Sequence, residues 1–259
     1  MRVDALQRAL LEGLIDHAAL FPPASMTMQD ALDEDRAARE SAYAWMIDRF
    51  VCPASRLGEV GGLAAPLSVV IDGALPPAER AQAIETCLDA PRPDSRELLS
   101  AAQSLRELTD EVYFELVLGE RWRDTVPAAI GAIAAVGGRV KLRCGGRTIP
   151  SCEQVALVLV ACRGAGVVMK ATAGLHHPLR SHGRHGFLNL LCAATHAFCR
   201  HADERTLTQL LEAEALAELP FGELDADDAI AARRRLFKGF GSCSWREPVE
   251  DLRALGWLE

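Results

Sequence analysis

Short apolar runs alternate with longer segments of helical periodicity along almost the whole chain, and this alternation constrains the fold more than any other feature. Strands are read at Trp45 to Cys52, Leu67 to Asp72, Ile84 to Leu88, Glu111 to Leu118, Arg139 to Arg143, Val167 to Ala171, a run near Ala215 to Leu219, and Phe237 to Gly241. Helical patterns lie between them in SRELLSAAQSLREL, DTVPAAIGAIAAV, SCEQVALVLVACR, HGFLNLLCAATHAFC, ERTLTQLLEAEA and DADDAIAARRRLF, and a last helix is read in EPVEDLRAL. Strands separated by helices of about 12 residues imply parallel βαβ units. Eight such units favour closure into a (β/α)8 barrel of the TIM type, spanning residues 1–259 as a single domain, with a helical elaboration after the sixth strand. A doubly wound open sheet is the alternative, but the GxGxxG fingerprint of its dinucleotide-binding form is absent.

Composition narrows the function classes. A net charge of −8 argues against a general nucleic-acid or acidic-membrane binder, since both surfaces select clustered positive charge. The basic run Arg233 to Arg235 reads as a solvated helix face. No apolar stretch reaches the roughly 18 residues needed to span a bilayer. The first residues, MRVDALQRALLEGLIDHAAL, read as an amphipathic helix without a signal-peptide cleavage site, so the expected location is the cytoplasm. The eight cysteines lie in apolar segments with no CxxC pair and read as buried free thiols.

Strands buried on both faces should be nearly all apolar, so ionisable residues within them need a reason. Asp48, Asp72, Glu85, Tyr113, Glu115, Lys141, Arg143 and Lys170 are such residues. In a barrel, the C-terminal ends of the strands form the mouth of the active site. The chain has only three lysines, Lys141, Lys170 and Lys238, against 25 arginines, and all three fall at predicted strands. Arginine stays protonated and forms no imine, whereas a desolvated lysine becomes a nucleophile. Lys141 and Lys170 are therefore candidate catalytic amines. Alternatively, they are buried counter-ions to Glu85 and Glu115, or simple binders of an anion.

After the Lys170 strand runs KATAGLHHPLRSHGRHG, with His176, His177, His182, His185, Arg180 and Arg184. Such a loop suits a proton shuttle, an anion or a metal, although no spacing in it matches a defined metal motif. The plainer reading is a polar loop that caps the next helix. Gly241, Ser242 and Ser244, ahead of EPVEDLRAL, offer backbone amides for a phosphate or carboxylate.

Several segments resemble deoxyribose-phosphate aldolase, a class I barrel enzyme that works through a lysine imine. LIDHAALFPPASMTMQDAL, residues 14–32, is similar to that family's IDHTLLxPxAT block, and Asp16 matches its active-site aspartate. DEVYFELVLG resembles the strand DEIDMVINIG, RVKLRCGG resembles VKTSTGF, VVMKATAGLHHPLR resembles GVKASGGIR, and FGSCS resembles the phosphate-binding GTSS. The resemblance implies that Lys141 forms the imine and that Lys170 tunes it. Three departures accompany it. Tyr113 replaces a catalytic aspartate, which leaves Glu115 as the nearest inward carboxylate. The lysines fall on strands five and six by this count, where the family uses six and seven. The His-rich loop and residues 186–236 have no counterpart.

The expectation is an aldolase-like lyase acting on a small carbonyl compound, phosphorylated or carboxylated, with no cofactor. Its catalytic residues would be Lys141, Lys170, Glu115, Asp16 and Tyr113. Substrate would be held by Arg143, His176, His177, Arg180, His185, Gly241, Ser242 and Ser244. A metal-dependent hydrolase or lyase using Glu85, Glu115 and loop histidines, and a non-catalytic small-molecule binder, remain as alternatives. Self-association into a homo-oligomer stays open.

Overall fold

A computed structural model describes residues 4–61, 65–72, 83–86 and 95–258, with only the backbone at Thr86 and residues 95–99. Eight parallel strands close in chain order into a barrel: β1 (Ile15–His17), β2 (Ile47–Pro53), β3 (Leu67–Val70), β4 (Ala83–Thr86), β5 (Val112–Leu116), β6 (Arg139–Arg143), β7 (Met169–Thr172) and β8 (Phe237–Ser242). The expected (β/α)8 barrel is therefore the fold. Closure runs through β1 and β8, where Ile15, Asp16 and His17 pair with Phe240, Gly241 and Ser242.

The helices are α1 (Ala5–Leu11), α2 (Met28–Glu40), α3 (Ser95–Arg106), α4 (Trp122–Ala135), α5 (Cys152–Ala165), α6 (Phe187–Cys199), α7 (Glu204–Glu212), α8 (Ala226–Arg235) and α9 (Arg246–Ala254). Their starts follow local chemistry. Asp4, Ser151 and Asp225 form capping boxes with Gln7, Gln154 and Asp228, which satisfy amides that the first turn leaves free. The helix α6 is buried on nearly every side, which explains its lack of a polar stripe.

Four expectations need correction. The N-terminal helix does not run through residue 20: it ends at Leu11, Gly13 takes a left-handed φ of 54°, and β1 follows. The run at Ala215 to Leu219 is no strand, but two short 3-10 turns at Leu216–Glu218 and Phe221–Glu223 flanking Pro220. One strand gained early and one lost late keep the total at eight and move Lys141 and Lys170 onto β6 and β7, the places the family resemblance calls for. The helical elaboration, α6 to α8, accordingly follows the seventh strand. Finally, Arg233 is buried, and its guanidinium donates to the carbonyls of Leu10, Glu12, Gly13 and Lys238. It caps the end of α1 instead of facing solvent.

The remaining differences are small. The strand read at Trp45 begins at Ile47 after a 3-10 turn over Ala44–Met46, and α2 had not been singled out. Residues 87 and 88 of the Ile84 to Leu88 run lie outside the described residues, and Cys87 with them. The seven described cysteines are all free, and all but Cys199 are buried.

Candidate active site

Side chains alternate along a strand, so Arg139, Lys141 and Arg143 of β6 point into the barrel at three successive heights. The register places Tyr113 beside Arg139, Glu115 beside Lys141, Lys170 beside Lys141, and Thr172 beside Arg143. The interior is thus layered.

The lowest layer is a floor. Arg139 Nη1 donates to the Tyr113 hydroxyl at 3.2 Å and pairs with Glu111 at 3.0 Å. Arg49 of β2 pairs with the same Glu111 carboxylate at 3.0 Å. The Tyr113 hydroxyl also donates to Glu111, at 3.3 Å, and burial raises its pKa, with Glu111 adding to the effect. This residue faces the floor and its hydroxyl is engaged there, while its ring lies 5.4 Å beneath the Lys170 ammonium.

Above it runs a chain of alternating charges from five strands: Asp16, Lys170, Glu85, Lys141 and Glu115. Lys170 Nζ bonds Asp16 Oδ2 and, at 2.6 Å, Glu85 Oε1. Lys141 Nζ lies 3.5 Å from Glu85 Oε2 and 3.1 Å from Glu115 Oε2. Glu85 therefore bridges the two amines, and Ser68 donates to it at 2.7 Å. The Arg49 backbone amide donates to Asp16 at 3.2 Å. Lys141, Lys170 and Glu85 are 3%, 1% and 2% exposed, so their charges are matched by one another and not by water. Burial alone would raise the Glu85 pKa, but Lys170 and Lys141 outweigh it and hold the carboxyl down at about 2. Burial would likewise strip the proton from Lys170, yet Asp16 and Glu85 prevail and push its pKa up. Lys170 is thus a fixed cation.

The top layer opens into a cavity of about 160 Å³. Its lining includes Glu85, Glu115, Lys141, Arg143, Thr172 and His176, with Phe21, Val51 and Val70 as apolar wall. Lys141 reaches this space and Lys170 does not border it. A wider cleft shares His176 and Cys243 with the cavity and is lined further by His177, Arg184, Ser244 and Glu247. Between the exits of β6 and β7 the backbones nearly touch: a Cβ on Gly145 would lie 2.7 Å from Gly174 Cα. Only glycine fits there.

The remaining predicted residues divide by place. Gly241 lines the cavity and Ser244 the cleft. His176 Nδ1 meets Glu247 at 3.0 Å and His177 Nδ1 meets Asp251 at 2.6 Å, so α9 holds both rings. Ser242 donates to the Ser244 carbonyl at 2.6 Å. Arg180 and His185 border neither space: the Arg180 guanidinium reaches Cys152 Sγ at 3.4 Å, and His185 Nε2 lies 2.7 Å from the Pro150 carbonyl. Asp48 pairs with Lys238 near the N-terminal ends of β2 and β8, and Asp72, just past the C-terminal end of β3, takes bonds from Ser55; neither lines the cavity or the cleft. Arg49 is a new member of the site, and Glu85, expected only as a counter-ion of the lysines or as a metal ligand, sits at its centre. Their signal was an ionisable residue inside an apolar strand. Among the described residues no group of three His, Cys, Asp or Glu side chains is arranged to hold a metal ion, and Glu85 and Glu115 pair with the lysines.

The layered interior and the polar mouth at the C-terminal strand ends define a parallel eight-stranded β/α barrel with a charged site. Among solved structures, one titled "QR15, an Aldolase" is similar over 96% of this chain and 99% of that one, at a TM-score of 0.55 and 13% identity, a likeness of fold. Two structures of dihydropteroate synthase from Thermus thermophilus, one with 6HMPPP, align over 96% of each chain at TM-scores of 0.44 and 0.42, with 16% and 15% identity. No family model and no curated protein sequence matches the chain. No helix among the described residues is long and apolar enough to cross a membrane.

Proposed function

We propose that the protein is an aldolase-like lyase whose Lys141 amine forms an imine with a small carbonyl compound. The observation that carries this reading is the division of labour between the two buried lysines. Lys170 is locked between Asp16 and Glu85, while Lys141 borders the cavity with Glu115 at 3.1 Å. The aldolase among the similar folds and the match of Asp16, Lys141 and Lys170 to the imine-forming family support it.

The steps follow from these positions. The Lys141 ammonium passes a proton to Glu115 and becomes nucleophilic. Its nitrogen bonds the carbonyl carbon, the carbonyl oxygen leaves as water with the two amine protons, and the proton held by Glu115 passes to the imine nitrogen to give the iminium, which returns Glu115 to the carboxylate form. The substrate carbon–carbon bond then breaks, its electron pair moving into the iminium to form an enamine, and Glu115 accepts the proton of the departing hydroxyl. Protonation of the enamine carbon and hydrolysis of the imine restore the amine. Lys170, charged throughout, shares Glu85 with Lys141 and so holds that carboxylate in place beside the reacting amine.

Borohydride treatment with a panel of small aldehydes, ketones and keto acids, followed by intact-mass spectrometry, tests the reading. The expected result is a reduced adduct that maps to Lys141 and is lost in Lys141→Met and in the charge-conserving Lys141→Arg. An adduct that maps elsewhere, or no adduct with any compound, overturns it.

A further inference from the structure

The three inward cations of β6 differ in how they are matched. Arg139 at the floor has Glu111 at 3.0 Å. Lys141 in the middle has Glu115 at 3.1 Å and Glu85 at 3.5 Å. Arg143 at the top lines the cavity, donates through Nε to the Gly145 carbonyl at 3.2 Å, and has no carboxylate partner among the described residues. A guanidinium presents a planar pair of donors that fits a carboxylate with two parallel hydrogen bonds. The charges beneath it are nearly balanced: three carboxylates, Asp16, Glu85 and Glu115, face two ammonium groups, Lys141 and Lys170. Counting the floor too, where Arg49 and Arg139 set two positive charges against the one carboxylate of Glu111, the groups beneath balance at four of each sign, and Arg143 is left as one positive charge that a single added negative charge matches and two exceed.

We infer that the substrate is a small monocarboxylate bearing a carbonyl, its carboxylate held by Arg143 while its carbonyl carbon meets Lys141. This rests on the imine reading above and adds the chemical class of the ligand. The outer cleft argues in the same direction. Its His176 and His177 already pair with Glu247 and Asp251, and the Glu247 carboxylate itself lines that cleft with Arg184, so a phosphate dianion would meet negative charge there. A volume of about 160 Å³ suits a compound the size of a short keto acid.

The test is borohydride trapping on the full-length protein with pyruvate, glyoxylate, acetaldehyde and glycolaldehyde phosphate, each over a range of concentrations, in wild type, Arg143→Gln and Arg143→Lys. Loss of a two-pronged ion pair at a partly exposed site is worth about tenfold in affinity. The expected result is half-saturation for pyruvate or glyoxylate about tenfold below that for acetaldehyde. Arg143→Gln should raise the carboxylate values about tenfold and the acetaldehyde value much less, with Arg143→Lys between. Equal half-saturation for pyruvate and acetaldehyde, an equal effect of Arg143→Gln on both, or preference for the phosphorylated aldehyde overturns the inference. If no probe gives an adduct, the imine reading has failed, and the carboxylate site is judged by thermal stabilisation with pyruvate. Stabilisation lost in Arg143→Gln supports it, and no stabilisation of wild type overturns it.

Discussion

Glu85 is the residue on which the buried charges turn, because one carboxylate serves both ammonium groups. Replacing it with glutamine leaves two cations without that anion in a dry interior, a change that costs about 3–5 kcal/mol. Urea denaturation of Glu85→Gln at neutral pH is expected to show this loss. Its pH dependence has a definite sign. The folded pKa lies at about 2, below the usual 4.5, so the stabilisation is present above pH 4.5 and is lost as pH falls from there through about 2. The gap between wild type and variant should close over that window, and a gap independent of pH would contradict the assigned charge state. At this scale much was legible. An ionisable group in an otherwise apolar strand marks itself, as Glu85, Glu115, Lys141 and Lys170 do, whereas Asp16 lies in a stretch that reads as helix and is picked out only by the family resemblance. Reach and partners are not marked. Arg180 and His185 share the loop that carries His176, yet loop conformation sends them to Cys152 and Pro150.

Most of the longer elements were legible by their period, although the 13-residue α2, mostly charged and with few apolar residues to mark a stripe, was passed over. Helices of 12 to 14 residues such as α3, α4 and α5 stand out by period. The three-residue β1 does not, because LEGLIDHAAL continues the spacing of α1 and only Gly13 signals the break. The partner of that break is Arg233 on α8, distant in sequence, whose four carbonyl acceptors could not be foreseen from a run of three arginines. Burial outweighs the nearby carboxylates there and lowers its pKa to about 10, still protonated at neutrality. Arg233→Met removes donors from carbonyls at the end of α1 and should lower stability by about 2–4 kcal/mol. Arg233→Lys should recover little, since one ammonium does not span the fork. Thermal melts of both variants check this; a full rescue by lysine would show that charge alone matters.

For the whole molecule, the barrel was legible because alternation of strand and helix admits few topologies, although its closure depends on the strand that was overlooked. Burial across the molecule also sets its thiol chemistry. Desolvation raises Cys144 and Cys192 to about 12 and Cys52 to about 11, so these sulfurs remain protonated and unreactive near neutral pH. Among the described cysteines Cys199 alone is partly exposed, though its pKa too is pushed up, to about 11. Alkylation of the native protein should be slow at all seven, with Cys199 first, and rapid once the chain is unfolded in guanidinium; peptide mapping reads the order. Early modification of Cys144 would mean that the barrel opens far more readily than its packing implies.

The ladder of cations on β6 has a further meaning. Lys141 and Arg143 are two residues apart on one extended strand, so their backbone anchors stand about 6.6 Å apart, a spacing set by peptide geometry. The strand is a yardstick. Surrounding loops can widen or polish the mouth without altering the separation between Lys141, the proposed point of covalent attachment, and Arg143, the proposed charged grip. A longer ligand would have to be accommodated by moving the cation itself, to another strand or another height, and not by remodelling the loops.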